Sequence, residues 1–216
     1  MALSGDTLVI GADFADPSGK SEAGAAYVFQ RGPMGFSQSA KLLASDGQSG
    51  DWFGRQVSVD GTTAVIGALY GDSGGKVNSG SAYVFTKSAT GWSQQAKIGS
   101  SDGQSNDWFG YDVGVSGEQV LVGAPYADLM GMLDAGAGYT FLRTGAMWTQ
   151  TAKLTASEGG GRVVDRAMQI HGGMGMTKDL PLERWYREMR IRRVGEGPSE
   201  VQRMVIAREI LGSNLR

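Results

Sequence analysis

From the first residues to about residue 156, apolar and polar positions alternate in short bursts, the period of two that marks β-strands. One set of bursts covers roughly Arg55–Val59, Thr63–Ala68, Ser81–Lys87 and Trp92–Ile98, rich in β-branched and aromatic residues. Clusters of Gly, Asn, Asp and Ser separate them and predict turns. After Gly161 the period changes to 3.6. Val164, Ala167, Met168 and His171 then share one helical face, as do Leu182, Trp185, Tyr186 and Met189. Pro181 and Glu183 suit a first helical turn. Ser199-Glu200-Val201-Gln202 reads as a capping box, and Gly212 as a stop. Three helices are therefore predicted, near 162–171, 181–191 and 199–211.

The strand pattern repeats every 56 residues without insertions. Leu8-Val9-Ile10-Gly11-Ala12 returns as Ala64-Val65-Ile66-Gly67-Ala68 and as Val120-Leu121-Val122-Gly123-Ala124. Tyr27-Val28-Phe29 returns as Tyr83-Val84-Phe85 and Tyr139-Thr140-Phe141, and Phe36 maps to Trp92 and Trp148. Four short antiparallel strands per repeat of this length are the signature of a propeller blade, whose faces are covered only by its neighbours. The fold class expected is mixed, β then α: about three four-stranded blades over 1–156, a Gly-rich junction at 157–161, and a helical segment over 162–216. The first copy is expected to begin at its second strand. The third stops after Ala156-Ser157-Glu158-Gly159, so the propeller reads as incomplete at both ends. Open strand edges of that kind pair with other chains, and self-association is expected.

Composition sharpens this picture. Glycine is abundant, 35 of 216 residues, which fits turn-dense β structure. The chain holds no cysteine and a single histidine, His171, which removes disulfides, thiolate metal sites and His-cluster zinc sites. The net charge of −2 hides an asymmetry: residues 1–156 carry 9 Lys+Arg against 14 Asp+Glu, residues 157–216 carry 11 against 8. Charges in the basic part alternate in sign at helical spacing, which indicates a solvated helix surface rather than a nucleic-acid face. No apolar run of about 18 residues predicts a membrane span. The first residues lack the basic and apolar regions of a signal peptide, so the chain as written is expected in the cytoplasm.

The glycine-led Ala-Tyr-Val-Phe strand, Phe53-Gly54, Phe109-Gly110 and Gly123-Ala124-Pro125 resemble the FG-GAP repeat family, the blade type of integrin α-subunit propellers and of many bacterial surface proteins. The resemblance covers 1–156 and implies a structural or ligand-binding scaffold, often extracellular, not catalysis. Some members bind calcium through an Asp-x-Asp-x-Asp-Gly loop. The equivalent loops here, at Asp13 and Asp16, at Asp72 and at Asp128, do not offer the four or five oxygen ligands such a site wants. Asx-turns are expected there and calcium is not.

The loops of the helical part carry a second resemblance. Gln169-Ile170-His171-Gly172-Gly173-Met174-Gly175, Arg184-Trp185-Tyr186-Arg187-Glu188 and the stretch from Arg193 to Arg203 occur in the order and spacing of the C-terminal domain of acyl-CoA dehydrogenases. The resemblance covers about 157–213 and implies a flavin enzyme that removes the α and β hydrogens of an acyl-CoA thioester. By resemblance Gln169, Ile170, His171, Gly172 and Gly173, with Gly197 and Pro198, contact FAD. Glu196 matches the carboxylate that takes the α proton in several members, although Gly195 and Pro198 stand where those members have Tyr and Thr. Read without the resemblance, Gly172-Gly173 is a helix cap and turn; His171 is expected to be a packing or cofactor-edge residue rather than a general base.

Two functions stay open at this point. One is a propeller-type interaction scaffold with an inherited helical tail. The other is a flavoenzyme fragment active only beside complementary dehydrogenase domains, since no counterpart of that family's other two domains exists in 1–156. A recombined or deliberately built fusion is a third reading. Residues 152–158 fit the repeat and also resemble the approach to the dehydrogenase helix at Arg162, so the two halves meet in a stretch common to both parents.

Overall fold

The computed structural model describes residues 1–128 and 133–155. They form three four-stranded antiparallel sheets, each built in chain order. Blade 1 comprises β1 (Ala2–Ser4), β2 (Thr7–Ala12), β3 (Ala25–Gly32) and β4 (Gly35–Leu42). Blade 2 comprises β5 (Phe53–Asp60), β6 (Thr63–Ala68), β7 (Ser81–Ser88) and β8 (Gly91–Ile98). Blade 3 comprises β9 (Asp112–Ser116), β10 (Gln119–Ala124), β11 (Ala137–Thr144) and β12 (Met147–Thr155). The four strands expected in one repeat are those of blade 2, each within two residues of its expected bounds.

One expectation needs correcting. The first copy does not begin at its second strand: Ala2, Leu3 and Ser4 pair with Val9, Leu8 and Thr7 to make a short first strand. Three residues are too few for an alternating pattern to show, but the Gly5-Asp6 turn folds them back onto β2. Blade 3 likewise has all four strands. The helices predicted over 162–171, 181–191 and 199–211 lie outside the described residues.

The repeat is structural as well as sequential. Val9 pairs with Val28, Val65 with Val84, and Leu121 with Thr140, each 56 residues on from the last. A bulge falls at the same place in every blade, after Val28, Val84 and Thr140. The extra residues opposite are Ser39, Gln95 and Thr151. Ser39 and Thr151 turn their hydroxyls back onto the carbonyls of Val28 and Thr140, both at 3.2 Å. Gln95 instead accepts from Trp148 Nε1 of blade 3 at 2.8 Å. Trp92, one blade earlier, would need Ser39 in that role, and its indole N–H is buried without a partner among the described residues.

Blades pack face against face, with two cores between them. The first joins Val9, Ala26, Val28 and Leu42 of blade 1 to Phe53, Val57, Ile66, Tyr83 and Phe85 of blade 2. The second joins Val65, Ala82, Val84 and Ile98 on the other face of blade 2 to Phe109, Val120, Val122, Tyr139 and Phe141 of blade 3. The sandwiching explains why all six residues of β6 are buried, whereas β10, covered on one face, alternates buried and exposed from Gln119 to Val122. Burying each such Val, Ile or Phe side chain contributes about 1.5–3 kcal/mol, so the middle blade has the largest share of the core. Single parallel bridges, Gly24 to Phe53 and Gly80 to Phe109, tie each blade to the start of the next.

Candidate functional site

Blade packing brings the loops after each second strand beside the loops that open the following blade. Phe14, Tyr70 and Tyr126 lie just past the ends of β2, β6 and β10; Trp52 and Trp108 lie just before Phe53 and Phe109. Their rings alternate in one row. Phe14 meets Trp52 at 4.8 Å, Trp52 meets Tyr70 at 4.7 Å, Tyr70 meets Trp108 at 5.2 Å and Trp108 meets Tyr126 at 4.4 Å, all edge to face. Tyr111 stacks on Trp108 at 6.5 Å. Such pairs are each worth about 0.5–1.5 kcal/mol beyond burial.

The row comes at a local cost. Trp52 and Trp108 hold φ of 54° and 56°, a left-handed conformation that costs a non-glycine residue about 1–3 kcal/mol. Trp52 is held there by its N–H to the Glu22 carbonyl (3.1 Å) and its indole N–H to the Glu22 carboxylate (3.2 Å). The outer rings remain open to solvent, Phe14 at 57% and Tyr126 at 40% exposure. This end of the stack is thus a ring-edged surface, with the Glu22 carboxylate and the Asp13–Arg55 ion pair beside the rings, suited to contact rather than to bond making. Phe14, Tyr70 and Tyr126 are absent from the sequence reading, although their own 56-residue recurrence is the signal that marks them.

Carboxylates in the same loops are engaged in holding the blades. Asp46, between blades 1 and 2, accepts from the Tyr83 hydroxyl at 2.9 Å and from Lys97 Nζ at 2.7 Å. Asp102 repeats this with Tyr139 at 3.0 Å and Lys153 at 2.6 Å. Partial burial raises the pKa of Asp46 and Asp102, but the Lys and Tyr donors outweigh it, and both carboxyls end below their ordinary value. Burial, and then the facing carboxylate, push the Tyr83 hydroxyl well above the usual phenol range; Tyr139 moves the same way. Asp51 and Asp107 behave oppositely. Their burial dominates the Gln48 and Gln104 backbone N–H groups they accept from at 2.8 Å, and both carboxyls are raised.

Asp46→Ala is accordingly expected to cost about 1–3 kcal/mol at pH 7, mostly because it leaves the buried Tyr83 hydroxyl unpaired. The half-exposed ion pair itself contributes under about 1 kcal/mol. A group whose folded pKa is lowered contributes stability above its unfolded value and loses it as pH falls through the folded one. The gap between wild type and variant should therefore narrow below about pH 4. Urea midpoints at pH 7 and pH 3 measure it, and an equal gap at both would show that the charge of Asp46 contributes nothing.

The loops considered for calcium use their carboxylates internally. Asp16, Asp72 and Asp128 accept the backbone N–H groups of Glu22, Asn78 and Asp134 at 2.7, 2.9 and 3.0 Å. Those three acceptor loops brace residues at φ of 52–55°, the turn chemistry expected of Asx residues. Among the described residues no group of three or more His, Cys, Asp and Glu side chains is placed to hold a metal. Glu196, and the flavin-contact residues Gln169, Ile170, His171, Gly172, Gly173, Gly197 and Pro198, lie outside the described residues.

Comparison with known families accounts for both halves. The FG-GAP repeat family matches at residues 1–29, 36–85 and 92–141, more than half of the chain. The acyl-CoA dehydrogenase C-terminal domain matches at 129–211. The two matches overlap at 129–141, and of these the structure places 137–141 in β11 of blade 3. Similar proteins include an acryloyl-CoA reductase (NADH) of Anaerotignum propionicum, 48% identical over 35% of this chain and 18% of that protein. The short-chain specific acyl-CoA dehydrogenase of Bos taurus mitochondria is 52% identical over 29% of this chain and 15% of its own length. A probable acyl-CoA dehydrogenase of Bacillus subtilis is 50% identical over 28% and 16%. The chain thus spans under a fifth of the length of these relatives. By the extent of its repeats it belongs to the FG-GAP repeat family, and its third blade runs on into a match to the C-terminal domain of the acyl-CoA dehydrogenases.

Proposed function

We propose that this chain is a propeller-type interaction scaffold carrying the C-terminal segment of an acyl-CoA dehydrogenase, and that it does not catalyse dehydrogenation alone. The observation that carries this reading is the division of the chain. The described residues, 1–128 and 133–155, form three blades, and the dehydrogenase-like stretch corresponds to 15–18% of the relatives' length. A base over the α carbon works only opposite a bound flavin, and the family's other domains supply much of the pocket that holds both. The aromatic loop row provides contact area without reactive groups, which suits binding.

The high local identity supports a second reading, in which the tail retains its family role. Gln169–Gly173, Gly197 and Pro198 would then hold FAD, and Glu196 would serve as base, once complementary dehydrogenase domains are supplied. Purified protein incubated with FAD and desalted separates the two. No retained flavin absorbance, and no dye reduction on adding an acyl-CoA, is the result expected for the chain alone. Retained flavin with dye reduction would overturn the scaffold reading.

A further inference from the structure

The two interblade interfaces repeat at 56 residues, so the surfaces that would extend the stack can be identified position by position. Toward blade 3, blade 2 presents Val65, Val84 and Ile98, all buried. The same positions on blade 3 are Leu121, Thr140 and Leu154, and Leu121 is 49% exposed. Toward blade 1, blade 2 presents Val59, Ile66, Tyr83 and Phe85, again buried. The same positions on blade 1 are Leu3, Ile10, Tyr27 and Phe29; Leu3 is 56% exposed and the other three are half-buried. One chain therefore displays both complementary halves of an interface it already makes twice internally.

The polar contacts show the same imbalance. Tyr83 with Lys97, and Tyr139 with Lys153, reach back to a carboxylate of the preceding blade. Tyr27 and Lys41 occupy those positions on blade 1, with Lys41 Nζ 5.6 Å from the Tyr27 ring and no carboxylate partner for either among the described residues. Serine and aspartate at the ends of the first strands repeat the pattern. Ser4 accepts the Gly61 N–H at 3.0 Å and Asp60 accepts the Gly117 N–H at 2.7 Å. Ser116 is the next in register, exposed, with the Gly5 N–H of another blade 1 as its counterpart.

We propose that the open face of blade 3 docks on the open face of blade 1 of a second copy of this chain, continuing the blade stack from one molecule to the next. The two faces differ, so the contact is heterologous and joins copies head to tail, closing into a ring or running on as its rotation dictates. Faces rather than strand edges carry the association.

A complementation experiment on the full chain tests this. Leu3→Asp blocks one face and Leu121→Asp the other, each by placing a charge where an apolar contact forms. Light scattering after size exclusion should give wild-type masses at multiples of the monomer and monomers for each variant alone. An equimolar mixture of the two variants should give a dimer, because each retains the face the other lacks. Circular dichroism checks folding, and Leu3→Ser with Leu121→Ser provides a milder pair with the same readout. A wild-type monomer, as when residues 156–216 cover a face, would overturn the proposal. So would a mixture that stays monomeric, or a single variant that still associates.

Discussion

Gly67→Ala is expected to destabilise the protein by about 3 kcal/mol, a fall in melting temperature of roughly 6–12 °C for a chain of this size, while Gly123→Ala is expected to be neutral or mildly stabilising. Both glycines are the penultimate residue of the second strand of a blade and are identical in repeat position. A Cβ on Gly67 would come within 3.0 Å of the Gly110 carbonyl oxygen, whereas a Cβ on Gly123 meets nothing nearer than Asp112 Cβ at 3.6 Å. The obstruction at Gly67 is backbone, so no side chain can rotate away. Gly110 is itself fixed, at φ 93° and with its N–H donated to the Gly123 carbonyl at 3.0 Å. Alanine also narrows the unfolded ensemble, worth about 0.4–1 kcal/mol where the native backbone accepts it. That gain survives at Gly123 and is overwhelmed at Gly67. Urea unfolding of the two variants in parallel measures the difference, and equal midpoints would show that the blades can separate to accommodate a methyl group.

The contrast shows what the sequence can and cannot disclose. The recurrence of Leu-Val-Ile-Gly-Ala announces the strand and its period, and the unbroken apolar run Ala64-Val65-Ile66 is consistent with burial on both faces. Nothing local to Gly11, Gly67 or Gly123 says which of them meets a neighbour, because that depends on residues about 43 positions away in the next blade. The same limit hid the aromatic row, whose tryptophans and tyrosines come from loops of successive blades. It also hid the latch of Asp46 on Tyr83 and Lys97, which in sequence is an aspartate in a polar turn. β1 escaped for a different reason: three residues carry no period. The candidate flavin residues were legible only through family resemblance, since Gly172-Gly173 alone reads as a helix cap.

Stability in such a stack is approximately a sum of blade terms and nearest-neighbour interface terms. Damage to one interface should then stay local. Blade 2 shares a core with each of its neighbours, so among the described residues the two cores link blades 1 and 3 through it.

Phe109→Ala puts that locality to the test. Phe109 is fully buried and packs on Tyr139 at 5.5 Å and Phe141 at 6.0 Å, in the core that joins blades 2 and 3. Removing such a ring costs about 3–5 kcal/mol, the transfer term plus the cavity it leaves. Against a typical total of about 5–15 kcal/mol, that is enough to release blade 3 before the rest. Phe53 fills the equivalent place between blades 1 and 2, on Tyr83 at 5.4 Å and Phe85 at 6.0 Å, and is untouched by the substitution. Amide hydrogen exchange in the variant should therefore accelerate over β9–β12 while β2, β3, β6 and β7 keep their protection, and thermal unfolding should split into two transitions. Uniform acceleration across all three blades with a single transition would mean that the stack unfolds as one unit, so that an interface between any two blades is felt by the third.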